Sequence, residues 1–171
     1  MGPNLITISK QQVSLFQPLT EQIKFEDIAH ALSMQCRYNG HIPVFYSVAE
    51  HSCRVSDALP NNLKAAGLLH DAEEAYLGDV ITPIKGALPG YKQIADAFHK
   101  VIRSKFNIDW HFAAAMAVKD ADEVVFATEC RDLPASFCNT STAPLRERIV
   151  PWSPQRAKLE FLDRGSRLCL F

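Results

Sequence analysis

One short segment of the chain concentrates side chains that could do chemistry: residues 68–74, with the sequence LLHDAEE. Successive side chains on a helix point about 100° apart, so His70 and Asp71 can share one cation only if it lies in a notch beside the helix. Further ligands must then come from neighbouring helices, and His51 and Asp122 are the candidates. Imidazoles combined with carboxylates suit Mn, Fe, Co, Zn or Mg and leave coordination positions open.

A third acidic residue belongs with this pair. Glu74 follows His70 by four residues and Asp71 by three, which places it on the same side of a helix as both. A divalent cation lowers the pKa of water, and a nearby carboxylate can accept the proton as the water attacks phosphorus. Glu74 is therefore the candidate general base. Spacing alone also allows a hydrogen-bonded structural role for His70 and Asp71, and that is the commoner role of such residues.

Helices are predicted to carry these residues, because apolar side chains recur at steps of three and four. The first spans about Phe25 to Arg37 and ends at Asn39-Gly40. The segment 47–50 (SVAE) has the pattern of a capping box, which places His51 near the first turn of the next helix, and Pro60 ends that helix. The helix with His70 is expected to begin at Asn61 or Asn62 and to stop at Gly78.

The rest of the chain extends this pattern. A loop is predicted over 79–86, and further helices are predicted over about 89–106, 112–133 and 153–167, the last opened by Ser153-Pro154. Residues 5–19 predict a short strand or an extended arm. Strands and helices do not alternate regularly, so the fold class is all-α. A chain of 171 residues suits one domain, 1–171.

Charge and composition limit the classes of partner that the protein can be expected to bind. Eighteen basic and nineteen acidic residues give a net charge of −1, so no overall field attracts nucleic acid or an anionic membrane. A nuclease would need a basic track for the polymer, and the balanced charge argues against one. No run approaches the roughly 20 apolar residues of a membrane span, and the first residues lack a signal-peptide pattern. We therefore expect a cytoplasmic protein.

The cysteines predict neither a disulfide framework nor a zinc site. They are Cys36, Cys53, Cys130, Cys138 and Cys169. Their number is odd, their spacings are wide and no C-x-x-C pair occurs. We expect free, buried thiols.

Four strings carry a resemblance to a known family. They are 46–52 (YSVAEHS), 70–74 (HDAEE), 78–85 (GDVITPIK) and 118–122 (VKDAD). In this order they resemble HD-domain phosphohydrolases, which implies an HD-type helical bundle over about residues 25–133. The combination is similar to the branch with bacterial 5′-deoxynucleotidases and phage deoxynucleoside triphosphohydrolases.

The resemblance implies a role for each matching residue. The family's H…HD…D ligand pattern corresponds to His51, His70, Asp71 and Asp122. Its catalytic glutamate corresponds to Glu74. Asp79 would position water or substrate, although a carboxylate after glycine is also a common turn residue. Arg37, Lys85 and Lys119 would bind phosphate, and for each of them a solvated surface charge is the alternative.

Several alternatives stay open. Asp120 competes with Asp122, and the K-x-A-D pattern of the family favours Asp122. A calcium loop starting at Asp120 fails, because its sixth and twelfth positions are Val125 and Arg131 instead of glycine and glutamate.

Two functions of different class remain. The first is an enzyme that hydrolyses a (deoxy)nucleotide, either a monophosphate or a triphosphate, with one divalent ion. The second is a catalytically idle HD domain that binds a nucleotide as a sensor or scaffold. Intact Glu74 and Asp79 favour the enzyme. His41 could line the mouth of the pocket, and a homo-oligomer is compatible with the family.

Overall fold

The computed structural model describes residues 2–133 and 138–171. Eight α-helices and one small antiparallel sheet of two strands lie within this part of the chain. The helices are α1 (Phe25–Met34), α2 (Val48–Asp57), α3 (Lys64–Leu68), α4 (Glu74–Leu77), α5 (Thr82–Ala87), α6 (Tyr91–Lys105), α7 (Phe112–Asp132) and α8 (Pro154–Arg167). The predicted all-α class with a short N-terminal β arm is confirmed.

The β arm is a hairpin. Strand β1 (Asn4–Ile6) pairs with β2 (Gln12–Ser14), and Leu5 lies opposite Val13. Val13 is fully buried and contributes to the main hydrophobic cluster. The arm therefore packs on the helical body through one face.

The main core lies between α1, α2 and α8. Phe25 and the other apolar positions at helical spacing on α1 are buried, and α1 packs against both α2 and α8. The ring of Phe25 lies against Phe161 on α8, with ring centroids 5.2 Å apart. A side chain at Gly165 would collide with Phe25, since its Cβ would lie 2.2 Å from that ring. Glycine is therefore what lets α8 approach α1 this closely.

Helix α2 lies at the centre of the fold. Residues 48–53 are all buried, His51 included. Cys53 belongs to the main core, whereas Val55 packs in a second cluster with Val118 and Val125 on α7. A polar group buried in this segment without a hydrogen-bond partner costs free energy.

The predicted single helix from Asn61 or Asn62 to Gly78 is wrong. A 3₁₀ turn precedes α3, α3 ends at Leu68, and residues 69–73 form tight turns before α4 begins. His70 provides a physical reason: its Nδ1 lies 2.8 Å from the Gly67 carbonyl oxygen. A continuing helix would offer that carbonyl to the N–H of Asp71.

Other boundaries also differ from the prediction. Helix α1 ends at Met34 instead of Arg37, and the loop predicted over 79–86 contains α5. Ser47 accepts the backbone N–H of Glu50, as a capping box requires. The Glu50 side chain instead accepts from Arg54 and from the backbone of Trp152, so the box is only half formed.

The cap of the last helix is confirmed. Ser153 accepts the backbone N–H of Arg156, and Pro154 occupies the first helical position. A proline there costs no hydrogen bond, because the first N–H groups of a helix have no partner within it.

The cysteine prediction is wrong for one pair. Cys130 and Cys138 form a disulfide, with Cα atoms 5.3 Å apart and a sequence separation of 8. Spacing motifs could not reveal this pair, because a separation of eight residues matches no C-x-x-C pattern. Cys53 is free and buried as expected, whereas Cys36 is half-buried and Cys169 is exposed. None of the described helices combines the length and the apolar character needed to cross a bilayer.

Candidate metal centre

Three parts of the fold bring the four predicted ligands to one corner: α2, the turn over 69–73, and α7. Nε2 of His51 lies 3.3 Å from Nε2 of His70, 3.1 Å from Oδ1 of Asp122 and 3.8 Å from Oδ2 of Asp71. Nε2 of His70 lies 3.2 Å from Oδ2 of Asp71. Two atoms bound at about 2.1 Å to one ion are about 3.0–3.4 Å apart at octahedral or tetrahedral angles. Most of these spacings fall in that range, and the cluster His51, His70 and Asp71 could hold a metal ion.

The electrostatics of the corner also suit a cation. Burial works against the charged form of Asp71, but the positive charge and hydrogen bond of His70, with the charges of His51 and Arg37, hold its pKa well below the usual range. Burial likewise opposes the charged form of His70, yet Asp71 raises the pKa of that imidazole to about 9. The positive charge of the protonated imidazoles thus balances the negative charge of the carboxylates. A divalent ion can replace the protons and supply that positive charge instead.

Both imidazoles are oriented through their other nitrogen. Nδ1 of His70 donates to the carbonyl of Gly67 at 2.8 Å, and Nδ1 of His51 contacts Oε1 of Glu129 at 2.7 Å. Each Nε2 therefore faces the corner. Such outer partners fix the ring and its tautomer in metal sites.

Sequence reasoning missed Glu129. This residue is buried on α7, and it also accepts a hydrogen bond from the hydroxyl of Tyr38 and lies 3.5 Å from Nε of Arg37. Burial raises its pKa, but Arg37, His51 and Tyr38 together outweigh burial and lower the pKa of Glu129 to about 2. Its position seven residues after Asp122, two turns along the same helix, was the one available signal.

A cleft of about 580 Å³ opens beside the corner, a volume within the usual range for small-molecule sites. Two cations line it, Arg37 and Lys85, together with the rings of Tyr38, His41 and Phe126. Its acidic lining residues are Asp71, Glu74, Asp79 and Asp122. The cleft therefore combines an acidic side, where a cation fits, with two basic groups suited to an anion.

Glu74 lies in this cleft as the first residue of α4. Nζ of Lys85 donates to its Oε1 at 2.9 Å, whereas its Oε2 is buried and has no hydrogen-bond partner among the described residues. Gln35 donates to the backbone carbonyl of Glu74 and fixes the start of α4. Burial, followed by the charges of Asp71 and Asp79, raises the pKa of Glu74 to about 9 against the opposing effect of Lys85. The result is a carboxyl group with one buried, unpartnered oxygen and a high affinity for a proton.

Asp79 and Arg37 also line the cleft. Oδ2 of Asp79 accepts the backbone N–H of Tyr38 at 2.9 Å, and Nη1 of Arg37 lies 3.6 Å from Oδ2 of Asp71. The 3₁₀ turn Arg37–Gly40 thus contacts both Asp71 and Asp79 in the cleft.

The structure does not bring Lys119 to the cleft. Its side chain is 66% exposed and lies 3.8 Å from Glu123 on the outer face of α7. Asp120 is also exposed, whereas Asp122 contacts His51, so the geometry favours Asp122 over Asp120.

The fold and this corner define an all-α protein with a candidate metal centre. The chain is 36% identical over 156 residues to the Escherichia coli (strain K12) protein YfdR, covering 86% of this chain and 85% of YfdR. It is 34% identical over 138 residues to a Rhodobacter capsulatus protein, covering 74% of this chain and 70% of that protein. Both relatives are named as uncharacterized proteins. The chain belongs to the family of these two proteins, and no family model matches it.

Proposed function

We propose that this protein is a divalent-metal-dependent phosphohydrolase of the HD superfamily that acts on a (deoxy)nucleotide phosphate ester. The observation that carries the proposal is the meeting of two imidazoles and two carboxylates, from His51, His70, Asp71 and Asp122, at the edge of a cleft. A divalent cation held there would act as a Lewis acid and lower the pKa of the attacking water.

Glu74 takes the proton in this proposal. Its Oε1 is held by Lys85, which orients the carboxylate, and its Oε2 is free of partners among the residues that the structure describes. Without a cation the raised pKa would keep Glu74 protonated at neutral pH; a divalent cation held beside Asp71 would favour the charged form and leave a carboxylate able to accept the proton. Asp79, fixed by the N–H of Tyr38, also lines the cleft and orients the water or the substrate.

Arg37 and Lys85 supply the anion-binding side of the cleft. A guanidinium offers a planar pair of donors to phosphate oxygens, and an ammonium offers a compact charge. Both groups would oppose the negative charge that develops on the phosphoryl oxygens. The rings of Tyr38 and Phe126, with centroids 6.4 Å apart, add apolar surface on which a nucleobase or sugar can pack.

A catalytically idle nucleotide-binding domain is the second candidate. The unpartnered oxygen of Glu74 favours the enzyme, because a buried carboxylate oxygen without a partner is costly and a binding module gains nothing from it. The ligand set alone would serve either function.

The test is a hydrolysis panel. Metal-stripped protein is supplied separately with Mn²⁺, Co²⁺, Mg²⁺, Zn²⁺ or Fe²⁺ and with ribo- and deoxynucleoside mono- and triphosphates. We expect release of phosphate or triphosphate with at least one ion and its loss after chelation. An Asp71→Ala preparation purified in parallel controls for contaminating phosphatases. Nucleotide binding without turnover under every ion would instead support the idle domain.

A further inference from the structure

The buried carboxylate of Glu129 joins three groups that come from two other parts of the fold. It contacts Nδ1 of His51 on α2, the hydroxyl of Tyr38 and Nε of Arg37, both in the 3₁₀ turn Arg37–Gly40. Glu129 is 1% exposed and His51 is 0% exposed, so bulk water cannot replace this contact. Glu129 lies outside the ligand set and does not line the cleft.

We infer that Glu129 is a positioning residue of the metal centre, which fixes the His51 ring with Nδ1 protonated and Nε2 directed at the other ligands. The inference rests on the proposed metal site, and it adds a residue that neither the ligand pattern nor the cleft includes.

The geometry on the two sides of the His51 ring supports this role. An ionised carboxylate can only accept, so Nδ1 at 2.7 Å from Oε1 of Glu129 must carry a hydrogen. Nε2 then points at Oδ1 of Asp122 and Nε2 of His70, 3.1 Å and 3.3 Å away. Rotating the ring by half a turn about the Cβ–Cγ bond would exchange Nδ1 with Cδ2 and Nε2 with Cε1, so carbon atoms would face Glu129 and the corner. The carboxylate therefore selects one ring orientation and one tautomer.

Helix α7 makes this selection rigid. Asp122 and Glu129 are separated by seven residues, which is two turns or about 10.5 Å along the axis. One helix therefore supplies a ligand and also orients a ligand from α2. A shift of α7 would move both contacts of His51 together.

The same carboxylate stabilises the turn that carries Arg37. Tyr38 and Asn39 have φ values of 61° and 54°, a region that costs non-glycine residues free energy. The hydroxyl of Tyr38 donates to Glu129 and its N–H donates to Asp79, so the residue is tied at both ends. Glu129 thus links the orientation of a metal ligand to the placement of the cleft's arginine.

A merely structural carboxylate would affect stability alone, and the chain offers a matched example. Asp27 on α1 is also buried, and it accepts three hydrogen bonds, from Thr7 and Ser9 in the β arm. None of its partners belongs to the cleft lining. Asp27→Ala is therefore the control for losing a buried carboxylate without touching the metal centre.

The first experiment measures Mn²⁺ affinity and the free energy of unfolding for the full chain and its variants Glu129→Ala, Glu129→Gln and Asp27→Ala. We expect Glu129→Ala to weaken Mn²⁺ binding by about tenfold to a hundredfold, the usual cost of losing an outer partner of a ligand. Glu129→Gln should keep most of the affinity, because its amide oxygen still accepts from Nδ1 and its NH₂ group can donate to Tyr38. Asp27→Ala should lose stability and keep its affinity.

The second experiment reads the His51 ring directly by ¹⁵N NMR of the imidazoles in the wild-type protein with Zn²⁺ bound. We expect a hydrogen on Nδ1 of His51 and none on Nε2. This readout does not depend on a variant that folds poorly.

Three results would overturn the inference alone, the first two of them direct. These two are wild-type Mn²⁺ affinity in a folded Glu129→Ala protein, and a His51 ring with its hydrogen on Nε2 when Zn²⁺ is bound. An equal loss of affinity in Asp27→Ala would also reject it, because the effect would then follow stability. Absence of metal binding in the wild type would instead reject the proposed function, and this inference with it.

Discussion

Two aspartates of this molecule lie among polar partners that differ in kind: Asp27 is buried, and the side chain of Asp71 is 23% exposed. Asp27 accepts hydrogen bonds from the hydroxyls of Thr7 and Ser9 at 2.6 Å and 2.8 Å, and from the backbone N–H of Ser9 at 3.0 Å. All of these donors are neutral. Asp71 instead faces groups that carry or can carry positive charge, with Arg37 at 3.6 Å and His70 at 3.2 Å.

This difference in partners distinguishes a structural cluster around Asp27 from a candidate metal site around Asp71. The neutral donors around Asp27 satisfy the carboxylate and tie the β arm to α1. Around Asp71 the nitrogens of His51 and His70 complete a group that could hold one ion, and Asp122 lies 3.1 Å from Nε2 of His51, beside an open cleft. Burial of charge therefore does not indicate a binding site by itself, whereas crowding of acceptors that can exchange protons for a cation marks a candidate metal site.

Of the two aspartates, Asp71 is expected to give the larger loss of metal binding when it is replaced by alanine. The substitution removes the carboxylate that lies near both imidazoles, so we expect metal binding and hydrolysis to fall below detection. Titration with Mn²⁺ and the nucleotide panel measure the two losses. Asp120→Ala, at an exposed position of α7, is the control and should behave as wild type. Retained binding in Asp71→Ala would place the metal elsewhere.

Glu74→Gln should separate binding from turnover. The amide can still accept from Lys85, but it cannot take a proton, so we expect normal metal affinity and a fall in kcat of about 10²–10⁴-fold. Steady-state kinetics with a saturating ion measure the effect. Full activity would remove Glu74 from the mechanism.

Asp27→Ala tests the structural half of the comparison. Losing three hydrogen bonds to a buried carboxylate should lower the free energy of unfolding by about 1–3 kcal/mol, as measured by urea denaturation. Its hydrolytic activity below the unfolding transition should match that of the wild type. A specific loss of activity would mean that the β arm contributes to the site.

The smallest effect is expected at a second structural cluster, around Asp132 at the end of α7. A hydrogen bond from Arg131 lowers the pKa of Asp132 to about 2, with the backbone of Ile149 adding to the shift against a small opposing effect of burial. The folded pKa is below the unfolded value of about 3.9, so this stabilisation is complete above about pH 4 and is lost as the pH falls toward 2.

Asp132→Asn should therefore be less stable than the wild type at pH 7, and the difference should shrink between pH 4 and pH 2. Urea denaturation at constant ionic strength measures it. A difference that is independent of pH would show that the charge of Asp132 contributes nothing.

The sequence predicted the parts of the fold that depend on local periodicity and capping. The apolar pattern of α1 and the caps at Ser47 and Ser153 appear in the structure. The break between α3 and α4 was not predictable, because it depends on the side chain of His70 bonding to a backbone carbonyl. The pairing of Cys130 with Cys138 likewise depends on the path of the chain after α7.

The candidate site shows a similar division. The four candidate ligands were selected through the order of their motifs, since the spacing from His51 to Asp122 carries no local signal. Glu129 was missed because a glutamate on a long helix looks like an ordinary surface residue. Only its burial against His51 distinguishes Glu129 from a surface glutamate. That burial results from the packing of α7 on α2, which the sequence does not show.

The most direct measurement is an anomalous difference map from crystals grown with Mn²⁺. We expect one strong manganese peak about 2.0–2.3 Å from Nε2 of His51, Nε2 of His70 and carboxylate oxygens of Asp71 and Asp122. A peak that excludes His51 or Asp122, or no peak at this corner under saturating Mn²⁺, would contradict it.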